Sequence, residues 1–465
     1  MYVVPTVQIG ICSLEVFCRT YLPRYLDLLT MRQIRRVLKD RVDFRDNRAI
    51  FRGSVGPRVQ RYFQFFVNDI NRRGYDLIEL DFSRATKAYP NSMVPIIATV
   101  QRLIHLGVTV HCNLPSNANL RTLFLRANWA YFLDPERFRP SDVTHDRHLS
   151  TRLFRDSGEQ QRVVNELIDI LMRTLEVKRS FFSGLEWAIN EITDNVLTHS
   201  QADVGGFIQL TTYKDTKRLA FCVADPGQGI LNSLREAEPT LRGDADAIAD
   251  AVRAGVTRNK DVGQGNGLSG TMKIAMIANG RFLVASGRAW IAWQGGQPDT
   301  LSMAPGQAYQ GTYVDVQLPL GEGIDLAEAL SFGSGAKATL PADIIEIKYL
   351  SDDARKLKIK MGEETSGFGS RHAGKQIRTK AKNLLRSEPS CLLEIDWDGI
   401  QMVSSSYADE FIGKLFVDLQ PIRFMNRVRQ VNIIPVVEQL INKAIMQRVG
   451  QVATEIEGQQ GGNGP

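Results

Sequence analysis

Glu191-Ile192-Thr193-Asp194-Asn195, Asp225-Pro226-Gly227-Gln228-Gly229 and Gly263-Gln264-Gly265-Asn266-Gly267-Leu268 are three short stretches whose order and spacing decide how the middle of this chain is read. Phe182, Leu185, Ile189, Ile192 and Val196 recur at helical spacing, so they form the core face of one helix. Trp187, Glu191 and Asn195 form an adjacent stripe at four-residue steps, which puts a carboxylate and an amide one turn apart at the edge of that face. Next come two strands, 206–213 and 218–224, around the polar turn Lys214-Asp215-Thr216-Lys217, with Asp225 where the second ends. Gly263, Gly265 and Gly267 open a helix expected over 268–278. A second hairpin, 281–285 with 289–293, and a strand from Gly311 that stops by Pro319 complete the segment.

Taken singly, each stretch has an ordinary explanation. A Glu and an Asn four apart can lie on a solvated helix face, and Asp-Pro-Gly is a common turn. Together they offer the parts of a nucleotide site. The Asn195 amide oxygen is a hard donor suited to magnesium, and the Glu191 carboxylate can orient or deprotonate an attacking hydroxyl. Asp225 can accept from an adenine amino group, with Gly227 and Gly229 letting the backbone approach a flat base. A glycine-rich loop feeding a helix start presents free N–H groups to phosphate. No Gly-Lys-Ser/Thr follows that loop and no strand immediately precedes it, so it is neither a Walker loop nor a dinucleotide fingerprint. Residues 230–262 would form a lid, and Thr257, Arg258 and Lys260 at its end either reach the terminal phosphate or lie on an exposed loop.

On these motifs, the segment 155–320 resembles the GHKL, or Bergerat-fold, ATPase domain of gyrase-type, chaperone, mismatch-repair and histidine-kinase ATPases. The resemblance covers about a third of the chain. It implies ATP and Mg2+ as ligands, with Glu191 as catalytic base and Asn195 on magnesium. It further implies Asp225, Gly227, Gly229, Gly263, Gly265, Gly267 and Leu268 around the nucleotide, with Thr312 supporting the adenine-binding Asp225. Glu191 to His199, as Glu-x-x-x-Asn-x-x-x-His, is most similar to the anti-sigma-factor serine kinases. Histidine kinases usually carry Asn at the Glu191 position, and the helix pattern over 159–177 holds no acceptor His. The lid and second glycine box depart from the serine-kinase pattern.

The flanks carry an α/β order twice. Leu77-Ile78-Glu79-Leu80-Asp81-Phe82 is a strand, followed by helix 92–106, strand 108–114 and helix 118–133. Leu392-Leu393-Glu394-Ile395-Asp396-Trp397 is again a strand, followed by helix 407–419, strand 431–434 and helix 436–448. Shifted by 315 positions, Leu77, Glu79 and Asp81 fall on Leu392, Glu394 and Asp396, an internal repeat of architecture. The C-terminal strand, with Val403-Ser404-Ser405-Ser406-Tyr407, resembles a STAS domain, the partner and substrate type of those serine kinases. That resemblance makes Ser405 the phospho-acceptor position, although Ser404 stands for the usual Asp and Tyr407 for the usual Gly. A polar helix N-cap explains Ser404 to Ser406 more simply than an acceptor does, and Ser405 could serve as both.

The expected organisation is α/β (α+β): an N-terminal helical segment over 1–40, a STAS-like domain over 41–140, the two-layer GHKL domain over 155–320, a linker over 321–342, a second STAS-like domain over 343–449 and a disordered tail over 450–465. A further linker is expected over 134–157, and Met31 is a possible alternative start. In 465 residues, 43% hydrophobic content with 23% charge is that of an ordinary globular chain. No stretch reaches membrane-span length, and no secretory leader is evident. Five scattered cysteines carry no metal spacing and fit a reducing cytoplasm. The net charge of +6 and the cluster Arg32, Arg35, Arg36, Lys39 and Arg41 suit a solvated face better than a nucleic-acid surface, since no aromatics interleave.

The expected function is therefore an ATP-binding regulator, an ATPase or serine/threonine kinase that switches a protein partner through STAS-like domains. The alternatives are a clamp forming nucleotide-dependent homodimers, with Lys337 or Lys348 reaching the terminal phosphate, or a non-catalytic ATP sensor.

Overall fold

The computed structural model describes residues 42–141, 148–213, 216–236, 238–253, 267–296, 298–304, 306–320, 343–351, 355–364 and 367–460. The helical segment expected over 1–40, the linker over 321–342 and Lys337 lie outside these residues. Among the described residues, no helix is long and apolar enough to cross a membrane. The architecture is mixed α/β, built on three sheets.

The N-terminal unit runs β1 (Val42–Arg45), β2 (Arg48–Val55), α1 (Pro57–Arg73), β3 (Leu77–Ala88), α2 (Pro90–His105), β4 (Thr109–Asn113), α3 (Ala118–Arg126) and α4 (Trp129–Leu133). Its sheet has the order β1-β2-β3-β4; β1 is antiparallel to β2, and the remaining pairs are parallel. Pro57 and Pro90 open their helices, where a missing N–H costs nothing. Gly74, at φ 69°, closes α1. The single helix expected over 118–133 is in fact two, because Asn128 takes a left-handed conformation at φ 62° between α3 and α4.

The central unit runs β5 (His148–Phe154), α5 (Ser157–Thr174), α6 (Arg179–His199), β6 (Gly206–Tyr213), β7 (Arg218–Asp225), α7 (Gly229–Arg235), α8 (Asp244–Ala251), α9 (Gly267–Ile277), β8 (Arg281–Gly287), β9 (Ala289–Trp293), β10 (Asp299–Ser302) and β11 (Tyr309–Pro319). Its seven strands lie in the order β10-β9-β8-β11-β7-β6-β5, every pair antiparallel. β5 corrects the linker expected over 134–157: the segment contains the edge strand that pairs with β6, so this sheet begins before residue 155.

Both faces of the central sheet are covered. Ile208, Leu210, Phe221, Val223, Val284, Val314 and Val316 join a core with Leu167, Leu185, Ile189 and Ile192 of α5 and α6. Their alternates Phe207, Cys222, Ala224, Ala285 and Tyr313 join a different core with Phe66, Ile96 and Val100 of the N-terminal unit. The two-residue period of a strand makes this division. α2 lies across β6, β7 and β11, while Arg61 of α1 sits 5.0 Å over the Trp290 ring of β9.

The C-terminal unit runs β12 (Lys356–Lys360), α10 (Met361–Glu364), α11 (Arg371–Ser387), β13 (Leu392–Asp396), α12 (Ser405–Ala408), α13 (Lys414–Leu419), α14 (Pro421–Arg427), β14 (Val428–Val431) and α15 (Pro435–Gln460). Wide-turn helical segments occupy Ile345–Tyr349 and Asp409–Gly413. The sheet is parallel in the order β12-β13-β14. β14 lies three residues before the strand expected over 431–434, and α15 continues to Gln460 through the tail expected to be disordered from 450.

The repeat seen in sequence extends to topology and polar contacts. β2-β3-β4 and β12-β13-β14 have the same order and direction. Arg48 on β2 contacts Asp81 at 2.6 Å and Glu79 at 3.3 Å. Lys358 on β12 contacts the matching Asp396 at 2.8 Å and Glu394 at 3.9 Å. On the side of the opposite neighbour strand an Asn donates to a carboxylate of each middle strand, Asn113 to Glu79 and Asn432 to Asp396, although these are not corresponding positions of the repeat.

α11 seats this unit on α5. Asn383 donates to the Met172 and Leu175 carbonyls at 2.8 and 2.6 Å. Beside it Lys380, with no exposed side-chain surface, pairs with Asp169 of α5 and Glu364 of α10.

Candidate functional site

α6 sets the site because its apolar face is pinned to the sheet. Phe182, Leu185, Ile189, Ile192 and Val196 are all buried, which leaves Glu191 and Asn195 half-buried at the margin of that face. Burial first, then the neighbouring Asp194 charge, raise the Glu191 pKa above the ordinary carboxylate value.

Gly267, the first residue of α9, meets both side chains. A Cβ on Gly267 would lie 2.8 Å from Glu191 Oε2 and 3.2 Å from Asn195 Nδ2, so glycine permits this approach. Thr271 fastens the first turn by donating to the Gly267 carbonyl at 2.9 Å. A carboxylate, an amide and the N-terminus of an 11-residue helix therefore converge, although 76 residues separate Glu191 from Gly267 (267 − 191).

The Asp225 stretch is tied to the far end of α6. Gln228 donates from its backbone to the Ser200 carbonyl at 2.7 Å and from its side chain to the His199 carbonyl at 2.9 Å. A Cβ on Gly227 would run into the Ser200 carbonyl. Asp225 is only 3% exposed. Its Oδ1 accepts from Gly227 N at 2.9 Å, and the Thr312 backbone also bonds the carboxyl. Burial outweighs both bonds and pushes the group up to about 7.

Thr312 stands opposite Asp225 in the β11–β7 register. Its hydroxyl lies 3.3 Å from Ser286 Oγ. Ser286 donates to the Gly311 carbonyl at 2.8 Å and accepts from Ile230 N at 2.9 Å, so one hydroxyl joins β8, β11 and α7. Gly229, at φ 78°, passes directly over it. Ser200, Ser286 and Gly311 are thus site-building residues that motif reading did not single out. Ser286 had no sequence signal, and Gly311 was visible only as the residue before Thr312.

Leu268 is half-buried in the core beside α6. Gly263, Gly265, Arg258 and Lys260 lie outside the described residues. Of the segment expected as a lid, the described parts are α7 and α8; Asp244 at the start of α8 accepts from Arg288 N at 2.9 Å, which fixes α8 against the β8–β9 turn.

Lys348 pairs with Glu364 at 3.0 Å and stacks over Tyr349. Ser404 is the helix cap, accepting from Tyr407 N at 3.1 Å, and Ser405 stands exposed at the first helical position. Burial alone would raise the nearby Asp396, but Lys358 and Asn432 hold it below the usual carboxylate range. In the N-terminal repeat Pro90 occupies the position corresponding to Ser405.

No protein-family model matches the chain, and no curated protein matches it.

Proposed function

We propose that the α6–β7–α9 junction binds ATP with Mg2+ as a GHKL-type module, and that the units on either side are STAS-like domains through which it switches a protein partner. The observation that carries this reading is Gly267 of α9 lying against Glu191 and Asn195 of α6, with the Asp225 stretch tied through Gln228 to the end of the same helix. The residues fit the ligands. Asp225 retains acceptor capacity for an exocyclic amine, and the start of α9 lies against a carboxylate and an amide. Magnesium, when bound, would neutralise phosphate charge, and the Asn195 amide oxygen would be the protein donor that holds it.

Each side chain then has one task. Asp225 fixes the base. Gly227 and Gly229 allow close backbone approach. The first turn of α9 orients the phosphates. Glu191, with its raised proton affinity, takes the proton from an attacking water or serine hydroxyl. A general base placed at the phosphate end supports ATPase or serine/threonine kinase chemistry over a pure sensor. The clamp reading is the weaker one, since Lys348 is committed to Glu364 and Tyr349. Cys112 and Cys222, buried free thiols, suit a reducing cytoplasm.

The test is incubation of the full chain with Mg2+ and γ-labelled ATP, beside Glu191→Ala and Asn195→Ala. Label on the protein, lost in both variants, supports a kinase, with Ser405 the first site to map. Free phosphate without label supports an ATPase switch. Turnover that survives Glu191→Ala sinks the assignment of the base.

A further inference from the structure

The end of α6 remote from Glu191 grips the C-terminal unit. Arg179, in the first turn, holds Asp343 through two bonds of 3.0 and 3.1 Å, reaches Glu346 at 2.5 Å and pairs with Glu388. Ser183 donates to the same Asp343 carboxylate at 2.7 Å. One turn on, buried Glu186 accepts the Ile344 N–H at 3.2 Å. Arg179, Ser183 and Glu186 follow one another at helical spacing, so one stripe of α6 holds the first described residues of the C-terminal unit.

This stripe and the proposed nucleotide site share one uninterrupted helix. From Arg179 to Asn195 the axial distance is about 24 Å at the usual rise per residue, and only about 7.5 Å separates Glu186 from Glu191. A packed helix moves as a rigid rod, so a shift or rotation at Glu191 and Asn195 is carried to the clasp. The clasp is built from directional hydrogen bonds and ion pairs converging on Asp343 and Ile344, and its geometry changes when α6 shifts relative to them. Ion pairs this sheltered add little net stability over apolar packing, so stability alone does not account for them.

We infer that nucleotide occupancy is coupled to the seating of the C-terminal unit through the Arg179–Ser183–Glu186 clasp on Asp343 and Ile344. This regulation rests on the nucleotide reading above. Coupling is reciprocal: whatever nucleotide does to the clasp, the clasp does to nucleotide affinity by the same factor.

The experiment uses the full chain with Mg2+ and a non-hydrolysable ATP analogue. Calorimetry gives Kd for the wild type, Arg179→Met, Asp343→Asn and the double variant; hydrogen exchange of peptides covering 343–349 reports the clasp. The expected result is an analogue-dependent change in exchange at 343–349 in the wild type, with Kd shifted about fivefold or more in each single variant. The double variant shifts no further, because both changes open the same contact. Ser183→Ala, a milder change, moves Kd in the same direction by less and guards against variants that fail to fold. Kd within twofold of wild type in variants whose 343–349 exchange shows an opened clasp overturns the coupling. Unaltered wild-type exchange at 343–349 on saturation overturns it as well. Failure of the wild type to bind the analogue overturns the nucleotide reading, and this inference with it, which separates that failure from binding without coupling.

Discussion

Asp225 is the residue whose ionisation should be easiest to see. Its folded pKa, about 7, lies above the ordinary 3.8, so the fold holds a proton that the unfolded chain gives up. The stability this group contributes is full below about pH 4 and is lost as pH rises through about 7. Glu186, raised by burial from 4.5 to about 7, acts in the same direction. Thermal melts across that range should slope less for Asp225→Asn than for wild type; equal slopes would remove Asp225 as a source. Under the proposed function nucleotide binding would have the opposite sign, since the ionised carboxylate would be the acceptor. Affinity should fall by up to about tenfold per pH unit below about pH 7 and level off above it, as titration at several pH values would report. Gly227→Ala should cost about 1–3 kcal/mol in urea unfolding, because the added Cβ meets the Ser200 backbone carbonyl, which cannot step aside. Glu191, Asn195, Asp225 and the glycines beside Asp225 were legible because carboxylate, amide and glycine at fixed spacing form a pattern. Ser200 and Ser286 were not, because a serine at a helix or strand end is chemically unremarkable until its neighbours are known.

Among the elements, the core face of α6 and the hairpins β6–β7 and β8–β9 were legible in the sequence, since an apolar face repeats along each. β5 was missed inside a polar stretch taken for a linker; its pairing with β6 gives it a strand role that its own composition does not reveal. The break between α3 and α4 turns on the single left-handed Asn128. α11 carries the sharpest energetic prediction. Lys380 is buried with Asp169 and Glu364, and Lys380→Met would leave two sheltered carboxylates facing each other with less positive charge between them. Removing one partner from such a cluster costs about 3–5 kcal/mol. Urea unfolding should show that loss; a change below about 1 kcal/mol would mean that Arg173 and Lys348 compensate.

At the scale of the whole molecule, the central sheet separates the N-terminal unit on one face from α5 and α6 on the other, with the C-terminal unit seated on those helices. A chain beginning at residue 148 would uncover Phe207, Ala285, Tyr309 and Tyr313, all buried against or beside the N-terminal unit. It should aggregate or bind a hydrophobic dye, and a monodisperse, dye-silent fragment in size exclusion would show that the face tolerates water.

By itself the sequence determined most of the strands and helices of the central segment and the doubled α/β order of the flanks. Those properties depend on periods of 2 and 3.6 residues and on side-chain chemistry, both local. Only the tertiary structure decided that β7 lies between β11 and β6, that both sheet faces are covered and that Gly267 lands on Glu191. It also decided that Arg179 clasps Asp343. Each of these joins positions far apart in the chain, where the outcome follows from which buried surfaces fit together, and no local period encodes that fit.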